Sequence, residues 1–334
     1  VTADGETATP EAEVDPLRRP GKEIMTGPNL SRSARLLAGA AATALALAAC
    51  GSEGGNDDDP AGPGGGRLAG QEITIGVFNG WDEGIAASFL WGHIFEEEGA
   101  EVSYEFADPV FVFEGVATGQ YDISFDAWLP NTHSDYWSEY GSDLEDLGAW
   151  FTEAPLTIAV NEDAPITSLT ELAANADAFG NRLVGIEPGA GLTRITKEQV
   201  IPSYGLEGME FLESSTQAML TELQNAVDSG DNVVVTLWRP HWAYAAYPIR
   251  DLEDPEGTLG DPEEIHSFAR TGFSADFPEA AEWLANFTLT SEQLLAIEDI
   301  MVVEMAASAN EEYAAAIDQW LADHPDFVAG VVGS

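Results

Sequence analysis

Cysteine and positive charge are what this chain has least of. Cys50 is its only cysteine, which excludes internal disulfides and thiolate metal clusters. Twelve Lys and Arg stand against 59 Asp and Glu, a formal net charge of −47. Only Lys22 and Lys197 are lysines. A surface of that sign repels nucleic acid and anionic lipid headgroups, so neither is an expected partner. No two histidines have metal-ligand spacing and no His-Glu-x-x-His occurs, so no metal or other cofactor is expected. A Gly-x-Ser-x-Gly elbow is missing too. The acidity suits either an ordinary acidic exported protein or, the reading we favour, a halophile's protein whose self-repulsion is screened by salt.

A long apolar run is also absent. After Met25, Arg32 and Arg35 lead into an apolar stretch from Leu36 to Ala49, too short to cross a bilayer comfortably. The pattern is that of a signal peptide over 25–49. Its end, Leu47-Ala48-Ala49-Cys50, resembles a bacterial lipobox, which makes Cys50 the expected lipidated first residue. Residues 1–24 precede this signal and are expected to be an unstructured upstream extension. Residues 50–70, rich in Gly, Asp and Pro, form a tether that cannot bury apolar surface.

What remains is amply able to fold, with 45% hydrophobic residues and 10% aromatics. "ITIGVFNG" and "EVSYEFA" read as strands, with the helical pattern "GIAASFLWGHIFEEEGA" between them. "VFVFEGVATGQ" reads as a short helix and "YDISFDAWL" as a further strand. This alternation predicts an α/β lobe over 71–155. A second lobe is expected over 156–250. It comprises a helix capped by Ser168 with Glu171 three positions on, the strand "RLVGIEPG", a helix opening at "AGLTRI", a strand near "MEFLES", the helix "TQAMLTELQNAVDSG" and the strand "NVVVTLW". Residues 251–334 are expected to return to the first lobe, with helices at 261–270, 277–287, 291–306 and 310–323. Two lobes joined by crossing segments leave a cleft that hinges around a small ligand.

Three tryptophans stand at strand ends: Trp81 in "FNGWDEG", Trp128 in "DAWLPNTH" and Trp238 in "TLWRPHW". Taken singly, each is a core residue; together, at strand ends that converge on one cleft, they form an aromatic cage. A quaternary ammonium has no N–H to donate, so aromatic faces and close shape select it where hydrogen bonds cannot. The turn "IEPGAGLT" opens a helix whose first backbone N–H groups are free to hold an anion, although it equally suits an ordinary strand-to-helix turn. Cage and anion site together suit a zwitterion. His93, inside a helix, and His266 and His324, in late helical segments, read as structural. His241 lies nearer the cleft and could simply orient a loop.

The stretches "GWDEGIA", "DAWLPNTHSDYW", "IEPGAG", "TLWRPHWAYAAYPIRDLEDP" and "EEIHSFARTGF" carry a family likeness. From about Glu72 to Phe287 the chain resembles the glycine betaine/proline betaine substrate-binding proteins of ABC importers. The resemblance implies a two-lobed type II periplasmic-binding-protein fold, with Trp81, Trp128 and Trp238 boxing a trimethylammonium group. It also implies a ligand carboxylate held by His133 and by the backbone N–H groups of Gly191 and Leu192. The partners implied are ABC permease subunits, met by a monomer tethered through Cys50 on the outer face of the membrane. A choline or carnitine binder of the same fold is the alternative within this class. From another class, a secreted hydrolase would act through a cleft carboxylate such as Asp82 or Asp126.

Overall fold

The computed structural model describes residues 66–333. The expectations for 1–49, for Cys50 and for most of the tether lie outside the described residues. Among the described residues ten strands form two five-stranded sheets. They are β1 (Glu72–Phe78), β2 (Glu101–Ala107), β3 (Ile123–Leu129), β4 (Leu144–Ala154), β5 (Leu156–Asn161), β6 (Arg182–Val184), β7 (Glu210–Leu212), β8 (Val234–Trp238), β9 (Ile249–Asp251) and β10 (Glu263–Arg270). The first sheet has the order β2-β1-β3-β10-β4 and the second β7-β6-β8-β5-β9. The chain therefore crosses between sheets twice, through Pro155 between β4 and β5, and again between β9 and β10.

In the first sheet β2, β1 and β3 run parallel, while β10 is antiparallel to both β3 and β4. The parallel members need helical crossovers. These are α1 (Asp82–Glu97) and α2 (Pro109–Ala117), the latter opened by a proline at a position where no helix N–H is lost. Leu90, Ile94 and Phe95 of α1 are fully buried, and covering side chains of this size stabilises by roughly 1.5–3 kcal/mol each. The helix Asn310–Asp323 packs on α1 from the C-terminal end of the chain. In the second sheet the expected Ser168–Glu171 capping box forms in both directions.

One expected helix is a strand. Residues 261–270 are expected as the first helix of the tail, and Glu263-Glu264 favours that locally. Instead β10 enters the sheet between β3 and β4, with Glu263, Ile265 and Phe268 buried and Glu264 exposed. The sheet offers backbone partners on both sides, and this tertiary pairing overrides the local helix preference. His266 consequently sits on a strand, where its Nδ1 meets Asp146 at 2.9 Å, and not in a helix. His324 lies just past the end of the helix Asn310–Asp323. The edge strands β4 and β9 were not foreseen either.

Candidate ligand-binding site

Each tryptophan sits where a strand stops. β1 ends at Phe78, and Asn79-Gly80 turns the chain with Gly80 at φ +77°, a conformation that favours glycine. The turn delivers Trp81 immediately before α1. Trp128 is the penultimate residue of β3 and Trp238 the last of β8, so the two sheets contribute to one place. All three indoles are buried, and Trp81 meets Trp238 nearly edge-on at 6.5 Å between ring centres.

His133 is brought there by a short closed loop. The Trp128 backbone N–H donates to His133 Nδ1 at 2.9 Å, and the His133 backbone N–H donates to the Trp128 carbonyl at 3.0 Å. Since Nδ1 accepts, the imidazole proton belongs on Nε2, which is buried and has no partner. Burial, then the charge of Arg194, pushes the His133 pKa down to about 3. The ring is therefore a neutral N–H donor at ordinary pH. It stacks beside Trp81 at 5.7 Å and 13°.

The loop that carries His133 is itself tied down. Glu263 on β10 accepts the backbone N–H groups of Asn131 and Thr132 at 2.7 and 2.9 Å and the Thr132 hydroxyl at 2.5 Å. Across the cleft, the helix Gly191–Ile195 starts after Ala190, which leaves the first-turn N–H groups without helical partners. A Cβ on Gly191 would lie 2.0 Å from the Thr132 carbonyl oxygen, so only glycine lets the two lobes come this close.

The six residues expected at the site, Trp81, Trp128, Trp238, His133, Gly191 and Leu192, all line one cavity. Thr132, Leu156, Ile186 and Ala190 complete it and were not foreseen. Three of these four lie inside "DAWLPNTH" or "IEPGAG", where proximity to a chosen residue was the available signal. The cavity measures about 20 Å³, roughly the room of one water. The lobes thus stand close together over the three indoles.

Several side chains hold that closure. Arg194 Nη2 donates to the carbonyls of Asn131 (2.9 Å) and Thr132 (3.4 Å), and its Nε meets Asp135 at 3.0 Å. The Tyr136 hydroxyl donates to the Gly189 carbonyl at 2.8 Å, and the Trp81 indole N–H reaches Glu187 at 3.4 Å. His241 is buried and neutral, pushed down to about 3 by burial. Its ring packs edge-on to Trp238 at 4.8 Å, a role that fits its place by the cleft. Among the described residues no group of His, Cys, Asp and Glu is arranged to hold a metal ion.

Residues 71–323 match the family model described as the substrate binding domain of ABC-type glycine betaine transport systems. A curated relative, the glycine betaine/carnitine transport binding protein GbuC of Listeria monocytogenes, is 34% identical over 149 residues, 44% of this chain. That alignment spans 47% of the relative, about half its length. Lactococcal OpuAC, crystallised closed with glycine betaine, superposes with a TM-score of 0.71 at 28% identity, covering 79% of this chain and all of that one. ProX of Borrelia burgdorferi, described as a glycine/betaine/L-proline-binding protein, gives a TM-score of 0.73 at 26% identity over 79% of this chain and 97% of that one.

Proposed function

The chain belongs to the family of substrate-binding domains of ABC-type glycine betaine transport systems, and from that premise we propose that its own ligand is glycine betaine or a close analogue such as proline betaine. It is a binding module and not an enzyme. The observation that carries the ligand assignment is the meeting of opposite chemistries in one cavity. Three indoles offer π faces to a cation, while a neutral imidazole N–H and two helix-start N–H groups face them as donors. Each ring contributes about 0.5–2 kcal/mol toward a quaternary ammonium. Each hydrogen bond to a carboxylate adds about 1.5–3 kcal/mol. Ordering and closure oppose these, which leaves affinity near the micromolar range, about −8 kcal/mol.

On this reading the protein captures its ligand outside the cytoplasm, as a monomer, and delivers it to the permease subunits of an importer for osmotic protection. Anchoring through a lipidated Cys50 is part of the proposal; among the described residues no helix is long and apolar enough to cross a membrane. Choline lacks a carboxylate and would leave His133 Nε2–H and the Gly191 and Leu192 N–H groups unpaired, a mismatch that costs strongly in a buried site. A calorimetric competition among glycine betaine, proline betaine, carnitine and choline tests this. The betaines are expected to bind tightest, and choline winning outright would overturn the assignment.

A further inference from the structure

Directly behind the cage lies a set of acids that the binding scheme above does not use. Asp126 Oδ1 accepts the indole N–H of the cage residue Trp128 at 2.8 Å. Its Oδ2 has no partner and packs over α1, 2.5 Å from where a Cβ on Gly84 would stand. Glu83, next to Gly84 on α1, is buried with Oε2 unpartnered. Glu298, on the helix Ser291–Glu298, is fully buried; its Oε2 accepts the Trp242 backbone N–H at 2.8 Å and its Oε1 has no partner. Asp82 accepts the Trp242 indole N–H at 2.7 Å and borders a groove of about 690 Å³. Among the described residues none of the four forms a salt bridge with a Lys, Arg or His, although ion pairs occur elsewhere on the molecule.

Buried carboxylates without a counter-cation hold their protons, because both low solvation and mutual repulsion disfavour the charged form. A quaternary ammonium seated in the cage is the one positive charge that this site would receive. We propose that Asp82, Glu83, Asp126 and Glu298 act as a proton-sharing set behind the indoles, ionising when the cation enters, so that ligand binding releases a proton to solvent. No other bond changes: a carboxyl O–H breaks, the proton passes to water or buffer by way of Asp82 at the groove, and the ligand's positive charge takes its place. The proposal rests on the ligand class assigned above and makes these acids positioning residues for its cationic end.

The surroundings agree. Burial, opposed by the Trp128 N–H, raises Asp126 to about 7, and burial raises Asp82 to about 6. Glu83 is held well above the carboxylate range by burial first and by Asp126 and Glu298 next; Glu298 is raised by burial and then by Asp82. From other elements, Tyr313 faces Asp82, and His133 and His241 border the cage as neutral rings. A bound cation favours the ionised acids and lowers their proton affinity. Binding should therefore tighten as pH rises through the Asp82 and Asp126 values and level off above them. Any proton exchange at His133 toward a ligand carboxylate would have the opposite sign, namely uptake.

Titration calorimetry with glycine betaine, and with tetramethylammonium as a probe lacking the carboxylate, is the test. Each is run near pH 6.5 in two buffers of different ionisation enthalpy, here phosphate and imidazole. Both ligands are expected to give buffer-dependent heats equivalent to release of about half a proton or more, and a Kd about tenfold tighter at pH 8 than at pH 5. Asp126→Asn should remove most of the release. Should that variant not fold, the wild-type titrations decide alone. Betaine binding with buffer-independent heat and a flat Kd, or with net proton uptake, overturns this inference while leaving the ligand assignment intact. No binding of betaine in either buffer overturns both.

Discussion

At Trp128 three parts of one residue have different partners. Its backbone N–H fixes the tautomer of His133, its indole N–H is held by Asp126, and its ring lines the cavity. Trp128→Ala therefore removes a cage wall, and His133→Ala removes the only side-chain donor proposed for the carboxylate while leaving the Trp128 N–H buried and unpaired. Each variant is expected to weaken betaine binding by about tenfold or more, with the circular dichroism of the fold retained. Parent-like affinity in both, measured by calorimetry, would show that the ligand lies elsewhere. At this scale the sequence was informative where chemistry is local. Indoles at strand ends and the Gly-rich turn stand out in a line of residues. Leu156, an ordinary aliphatic outside those motifs, lines the cavity only because the two lobes meet there. In the sequence Asp82 and Asp126 suggest only the acids of a hydrolase. Glu83 and Glu298 are two acids among 59, and nothing in their spacing announces that they are buried together.

Elements position these residues, and the same elements set how the lobes engage. The helix Gly191–Ile195 carries both the proposed anion donors and Arg194, whose guanidinium grips the carbonyls of Asn131 and Thr132 on the opposite lobe. Binding and latching thus share one helix. Arg194→Ala should leave the cage intact but shorten the life of the closed state. The expected result is ligand dissociation faster by about tenfold, read from tryptophan fluorescence in stopped flow, with association changed much less. Strands with alternating or β-branched residues and helices with clear caps were legible in advance. The strands β4, β9 and β10 were not. β9 is too short to carry a period, and β10 begins with two glutamates, so its place between β3 and β4 depends on partners distant in sequence.

For the whole molecule, two sets of buried groups pull stability in opposite directions with pH. The four acids behind the cage have raised pKa values, so the folded state binds more protons than the unfolded chain between those values and the ordinary carboxylate range. Their strain is relieved as pH falls through about 7 and 6. His133 and His241 have lowered values, so the stability that they contribute is full above the unfolded value of 6.5 and is lost as pH falls below it toward about 3. Carboxylates held below their ordinary range add a further loss in acid: Glu98 by Arg67, and Glu145 and Asp254 by hydrogen bonds from backbone N–H and hydroxyl groups. The melting temperature is expected to peak on the acid side of neutrality, at about pH 5–6. Sodium chloride should raise it at pH 8 by screening the net charge of −47. Differential scanning fluorimetry over pH and salt checks both. A Tm that is flat in salt would count against adaptation to brine.

The closed loop from Trp128 to His133 has one more consequence. Two reciprocal hydrogen bonds join its ends, and Glu263 pins its middle. On the proposed assignment the wall for the positive end and the donor for the negative end are cut from one stiff piece, and the distance between them becomes a gauge. A site built this way would sort zwitterions by the separation of their charges. Evolution could not readily retune it to a longer molecule by exchanging a side chain. It would have to add or remove residues between the tryptophan and the histidine, so on that assignment the length of the interval is a heritable measure of what the protein admits.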